Sequence, residues 1–232
     1  DQEEERRVTF LELFYDLVYV VIIAQLAHSL STHISIMGFL KYAFLFLMIW
    51  WAWFNGVMYH DLHGNNDIKT RVMTFLQMIA VGAMAFFAHH AMDSGSVGFA
   101  LSYGAFLLII TYLWWRTGVH ENEHRPLSTP YTLTYLSAAL LTIGSVFIEP
   151  PLRFYIWGFN LFLIVILPLV LMIVAQKNQA MKIQFDRAAT VSNSMVERFG
   201  LLTIIVLGEV IVGVVQGVAG THHFSLLNGA TG

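Results

Sequence analysis

The sequence predicts an all-α, polytopic integral membrane bundle of about seven transmembrane helices, and three observations carry that prediction. Apolar residues make up 57% of the 232-residue chain and charged residues 12%, the latter about half the share usual in soluble domains. Six stretches free of Asp, Glu, Lys and Arg follow one another, each of 19–24 residues. A helix needs about 20 apolar residues to cross roughly 30 Å of hydrocarbon. The 12 Lys and Arg residues fall in alternate connections, ten on one side and two on the other, the asymmetry that sets orientation in a bilayer. Mean hydropathy is +0.65. These values exclude a disordered chain, and a net charge of −3 without a basic patch excludes a nucleic-acid-binding domain. The chain has no Cys, so disulfide frameworks, thiolate metal sites, iron–sulfur clusters and cysteine nucleophiles are excluded.

The elements follow in order. The first helix, 10–31, opens on Thr9 and Glu12, the spacing of a capping box, and runs into 24 charge-free residues between Asp16 and Lys41. The second, 36–59, fills the 19 residues before Asp61, and the third, 71–91, fills the 21 after Arg71. The fourth, 97–117, lies in the 22 between Asp93 and Arg116, and the fifth, 130–148, in the 23 between Arg125 and Glu149. The sixth, 153–176, holds 23 residues before Lys177 and contains Pro168, which removes a backbone bond and kinks the helix. The seventh, 195–218, carries one charge, Glu209, in an otherwise apolar stretch. The runs are continuously apolar, without the alternation of a membrane barrel.

Arg6, Arg7, Lys69, Arg71, Arg116, Arg125, Lys177, Lys182, Arg187 and Arg198 share one side, and Lys41 and Arg153 the other. The N-terminus is therefore expected in the cytoplasm, and residue 232 outside. Trp50, Trp51, Trp53, Trp114 and Trp115 fall at the expected cytoplasmic ends of helices two and four, as an interfacial belt would. No cleavable signal peptide is visible in the acidic first segment.

Thr9-Phe10-Leu11-Glu12-Leu13-Phe14 and Ser194-Met195-Val196-Glu197-Arg198-Phe199 share one pattern, and each opens an apolar helix. Two capping boxes explain the local geometry. A parallel duplication explains why the pattern recurs, since both helices enter from the same side. The expected division is a six-helix first repeat over 1–193, and the first helix of a second, truncated repeat over 194–232.

Glu12-Leu13-Phe14-Tyr15-Asp16-Leu17-Val18-Tyr19-Val20 and the stretch from Glu197-Arg198-Phe199-Gly200 to Leu207-Gly208-Glu209 resemble the bacterial low temperature requirement A family. Tyr59-His60-Asp61-Leu62-His63, with Arg71 and Gln77-Met78, fits it as well. Ser194 stands where the family often has His. The resemblance implies a multi-pass membrane protein about twice this length, and little about chemistry. More distantly, Phe14-Tyr15-Asp16 is similar to the Phe-Ser-Asp motif of endolysosomal-type potassium channels, with Tyr in place of Ser.

Ionisable groups at membrane depth are functional hypotheses by default. Glu209 lies 12 residues beyond Glu197, about 18 Å along a helix axis, and reads as a proton or cation site or as interhelical glue. Asp16 shares a face of helix one with Tyr19. It either lines a path, with Tyr19 beside it, or pairs with Arg198. Thr9, Glu12, Ser194 and Glu197 are expected caps. Gly213-x-x-x-Gly217 permits close helix approach, within the bundle or in a homo-oligomer. His60-x-x-His63 and His120-x-x-x-His124 have spacings that chelate a metal on a helix; solvated loop histidines are the plainer reading, and neither metal nor cofactor is expected. There is no Lys inside helix seven for a retinal, no nucleotide loop, no His-Glu-x-x-His and no Gly-x-Ser-x-Gly.

The expected function is a transporter or channel for a small ion or solute, using membrane-embedded carboxylates in the cell membrane. The alternative is a non-transporting sensor or partner-binding subunit in stress or cold adaptation. An enzyme is not expected; one acting on a lipid or carrier-linked substrate is the remaining alternative. The partners expected are the lipid bilayer and a small ion or solute, with no nucleic acid.

Overall fold

A computed structural model describes residues 9–32, 35–63, 68–121, 124–175, 182–183 and 192–229. The named elements among them are α1 (Phe10–Thr32), α2 (Ile36–His63), α3 (Ile68–Ala88), α4 (Ser96–His120), α5 (Arg125–Gly144), a 3-10 turn (Ser145–Phe147), α6 (Leu152–Ala175) and α7 (Asn193–Gly229). The fold is an all-α membrane bundle. Among the described residues, five helices are long and apolar enough to cross a bilayer, and α6 adds a shorter apolar stretch, Leu152–Pro168.

The helix bounds depart from the sequence expectation at several ends: α3 runs Ile68–Ala88 rather than 71–91, α4 ends at His120 rather than 117, and α5 ends at Gly144 rather than 148. α5 starts at Arg125 rather than at 130, because Pro126 sits in the first turn, where a missing N–H costs nothing. α2 continues to His63. α7 runs for 37 residues, to Gly229, since no Pro interrupts it.

Hydrocarbon supplies no hydrogen bonds, so a spanning segment must satisfy its own polar groups. The hydroxyls show how. Thr74, Ser102, Thr111, Thr117, Thr132, Thr134 and Thr203 each donate to the carbonyl four residues back. The polar residues of the spans thus hide inside their own helices.

α4 is the central helix. It packs on α3, α5, α2 and the 3-10 turn, and 61% of its most apolar window is buried against 28% for α2. Phe99, Tyr103, Phe106 and Trp114 project from it into the core. Gly104 is required where α4 meets α5, because a Cβ there would lie 2.5 Å from Ile143 Cγ1. α1 packs on α2, α3 and α7, and buries Tyr15, Tyr19, Ile22 and Leu26. Outward-facing residues are large and apolar: Phe86 is 82% exposed, Ile79 68% and Ile204 68%. Such a surface fits lipid and not water.

Arg153 is among the most connected side chains. It is buried, and its Nε donates to the carbonyls of Ser145 and Ile148 at 3.1 Å each. Its Nη2 donates to Val146 O at 3.1 Å, and its Nη1 to Ser96 Oγ. One guanidinium gathers the carbonyls of Ser145, Val146 and Ile148, in and just after the 3-10 turn, and pins them to the first residue of α4. Nearby, Trp157 Nε1 donates to Ser145 Oγ at 2.9 Å, and Asn160 Nδ2 to Ala138 O and Thr142 Oγ1, which seats α6 on α5. Replacing Arg153 by Met removes the charged donor from the carbonyls of Ser145, Val146 and Ile148, and a hydrogen bond to a charged group is worth about 1.5–3 kcal/mol at most. Arg153→Met is therefore expected to lower the thermal unfolding midpoint in detergent by several degrees, read by circular dichroism.

Candidate functional site

Asp16 lies six residues into α1 and Arg198 five residues into α7. At 1.5 Å per residue both are about 8–9 Å from the start of their helices, and the two helices enter side by side. Arg198 Nε donates to Asp16 Oδ2 at 2.9 Å, and Nη2 to Oδ1 at 2.6 Å. Trp53 Nε1, on α2, donates to the same Oδ1 at 2.7 Å. Asp16 is 2% exposed and Arg198 3%. A bidentate pair of this kind is strong and directional, and here it ties α1, α2 and α7 together.

Aromatic rings enclose the pair. The Arg198 guanidinium lies 5.8 Å from the Tyr15 ring centroid, within cation–π range. Phe199 meets Trp53 edge-on at 4.9 Å. The Tyr15 and Tyr19 hydroxyls are 3.1 Å apart. Gly56 makes room for the Tyr15 phenol, which any Cβ at that position would strike. Beyond Tyr15 lies His60, ring centroids 6.0 Å apart, and His60 Nε2 is 3.4 Å from Thr74 Oγ1. Asn55 accepts from Tyr135 OH and donates to Trp51 O at 2.6 Å. One turn beyond Thr74, Gln77 is fully buried with neither amide atom partnered. The interior of an apolar bundle thus holds an ion pair and a set of amides, phenols and an imidazole.

The helix starts differ from each other. At α1 the capping box is present: Thr9 N donates to Glu12 Oε2 at 2.9 Å, and Glu12 N to Thr9 Oγ1 at 3.3 Å. At α7 the reading of Ser194 and Glu197 as a second box needs correction. The helix begins at Asn193, so the cap falls on Ser192, whose Oγ accepts from Met195 N at 3.1 Å. Ser194 instead donates to Asp61 Oδ1 at 2.6 Å, as does Ser192. Glu197 is exposed. The tryptophan belt needs a correction too. Trp53 and Trp114 are fully buried, Trp50 and Trp51 are half-buried, and Trp115 alone of the five is exposed. The Trp53 indole points inward because Asp16 accepts from it.

Glu209 is not brought to Asp16. It lies 11 residues beyond Arg198, about three turns and some 16 Å along the axis, and so on the same face of α7. Met195, Arg198 and Leu202 on that stripe are buried, Ile205 and Val206 half-buried, and Glu209 exposed. Burial along one face of α7 fades as the helix ascends. The packing of Gly213 and Gly217 lies outside the described residues. The four histidines do not pair as their spacing suggested. His60 points into the bundle, and His120 Nδ1 is 2.9 Å from Arg116 O. His63 and His124 meet each other instead, ring centroids 4.7 Å apart.

Sequence reasoning missed Trp53, Asp61 and Gln77 as parts of this polar interior. A signal was present for two of them, since Asp61 and Gln77 fall in or beside the stretches that carry the family resemblance. Those stretches, separated by up to 180 residues or so in sequence, converge at one end of the bundle through Asp16, Asp61, Ser194 and Arg198.

Comparison with known proteins gives three results. The family model described as bacterial low temperature requirement A protein matches residues 7–231. An uncharacterized protein of Rhizobium meliloti (strain 1021) is 29% identical over 238 aligned positions. The match covers 98% of this chain and 54% of that relative, so the chain spans about half the relative's length. No solved structure matches.

A buried pair costs most when one partner is removed, about 3–5 kcal/mol, because a charge is left uncompensated. Arg198→Leu or Asp16→Leu alone is expected to destabilise the bundle by that amount. The Asp16→Leu, Arg198→Leu double variant is expected to recover much of the loss, measured as a double-mutant cycle of thermal unfolding in detergent.

Proposed function

Because the chain belongs to the bacterial low temperature requirement A family, we propose that it forms part of a multi-pass protein of the cell membrane that moves a small ion or solute. The observation that carries this reading is the face of α7 that runs from the buried Arg198, locked to Asp16, to the exposed Glu209. Carboxylates at membrane depth are rare unless they serve a path or a partner. Asp16 has three hydrogen bonds on its two oxygens, so it acts as a closed lock between helices rather than as an open ligand. Glu209, exposed on α7, is the candidate group for a proton or a cation, and Tyr19 lies beside the lock.

Lipid is a costly neighbour for Glu209, by about 2.5–3.5 kcal/mol for a charged side chain at a helix centre. In this reading, the part of the longer relatives beyond this chain's match covers that face. Residues 194–232 then open a second repeat after a first repeat over 1–193, as the recurring hydroxyl–Glu–Phe pattern suggests. Transport through positioned carboxylates needs no covalent chemistry, and the protein is read as no enzyme.

The second reading is a non-transporting sensor or partner-binding subunit. The polar end formed by Asp61, His63, Glu121 and His124 favours it, since it offers a titratable surface outside the apolar core.

The test is flux. The protein is reconstituted in proteoliposomes, and proton and potassium movement is followed under an imposed pH or voltage gradient. Glu209→Gln is expected to abolish the pH-dependent flux. Unchanged flux in that variant removes Glu209 from the mechanism. Absence of proton and potassium flux in folded wild-type protein, together with a stoichiometric partner on purification, transfers the assignment to the sensor.

A further inference from the structure

We propose that His63, Glu121 and His124 form a binding site for a divalent transition-metal ion of the zinc class. The three residues come from three different helix ends: the last residue of α2, the residue just after α4 and the residue just before α5. Each offers one ligand atom, and these atoms all lie within 4.8 Å of one another. Neither the flux reading nor the sensor reading is needed for this inference.

Geometry and donor chemistry fit. Metal bonds of about 2.0–2.1 Å in tetrahedral array put neighbouring donors about 3.3 Å apart. His124 Nε2 and Glu121 Oε2 are already 3.4 Å apart. Side-chain rotation closes the remaining distance to His63, whose ring stands edge-on to that of His124 at 89°. Two imidazoles and one carboxylate suit zinc and its first-row neighbours, and suit magnesium or calcium poorly. Three protein ligands leave one position for water.

A second observation points to a ligand. His63 Nε2 is buried and has no hydrogen-bond partner among the described residues. An ordinary His–carboxylate contact explains His124 and Glu121, but it leaves this nitrogen unexplained, and buried polar groups are normally satisfied. Tyr59 and Trp114 flank the His63 ring at 5.4 and 5.3 Å, which fixes its orientation. A bound dication would also face the negative dipole ends of α2 and α4, against the one positive end of α5. Its structural effect is to clamp the ends of α2, α4 and α5, and so to stiffen the end of the bundle at which the Asp61–Ser194 contact holds α7.

The experiment uses the full chain without a polyhistidine tag, stripped with chelator in detergent. Zn2+ binding is measured by titration calorimetry and by the rise in thermal midpoint, with Mg2+ as control. Co2+ binding is followed by visible absorption. Wild-type protein is expected to bind one Zn2+ per chain with a raised midpoint, while Mg2+ leaves it unchanged. Glu121→Gln, His124→Gln and His63→Gln are each expected to weaken Zn2+ by about tenfold or more, and to diminish the Co2+ band. His120→Gln, one residue before Glu121 and exposed, is expected to bind as wild type. Glu121 is itself exposed, so Glu121→Gln remains informative if a His63 variant fails to fold. Failure of wild-type protein to bind Zn2+ at low micromolar concentration overturns the proposal. So does Zn2+ affinity unchanged in both Glu121→Gln and His124→Gln.

Discussion

The structure depends on one constraint: a charge placed among apolar helices must find its partner there. Asp16 and Arg198 meet it by closing on each other, with Trp53 donating a third hydrogen bond to the carboxylate. The consequences spread from that point. α7 must enter beside α1 for its guanidinium to reach. Tyr15 must lie beside the pair, and Gly56 must lack a side chain so that the Tyr15 phenol fits. Asp61 then gathers the two serines at the start of α7. A pair of this kind adds little net stability compared with apolar residues of the same volume. What it supplies is register, because the bidentate geometry is satisfied at one relative position of the two helices.

The same accounting governs the rest of the bundle. Hydroxyls bond back to their own helices, and Arg153 gathers the carbonyls of Ser145, Val146 and Ile148. Against this background the exceptions stand out. Gln77 is buried without a partner, and so is Nε2 of His63. Glu209 emerges on a stripe whose lower part is buried. The first two are among several buried polar groups without a hydrogen-bond partner among the described residues, and the third is an exposed carboxyl group in an otherwise apolar stretch of α7.

Much was legible in the sequence. The six charge-free runs located the first six helices, and an apolar stretch interrupted by Glu209 located the seventh, because hydrophobic length is a one-dimensional property. The Thr9–Glu12 box was legible because its partners are three residues apart. Ser194 misled for the opposite reason: its partner, Asp61, is 133 residues away, and a local motif cannot weigh a distant carboxylate. The tryptophans misled in the same manner, since an indole at a helix end serves an interface or a core depending on which way the helix is turned. The start of α5 moved to Arg125 because Pro126 fits the first turn of a helix, which a count of charge-free residues does not register.

The sequence by itself determined that this chain is a membrane helix bundle, because composition and run length are enough to choose lipid over water as the solvent. It determined the family as well, through short stretches dense in unusual residues. Only the tertiary structure decided which polar groups meet. It set Asp16 against Arg198 and left Glu209 on the open part of the same face. It separated His60 from His63 and brought His63 to His124. The reason is that a helix fixes spacing along its own axis, while its rotation and its neighbours are set by packing among all the helices together.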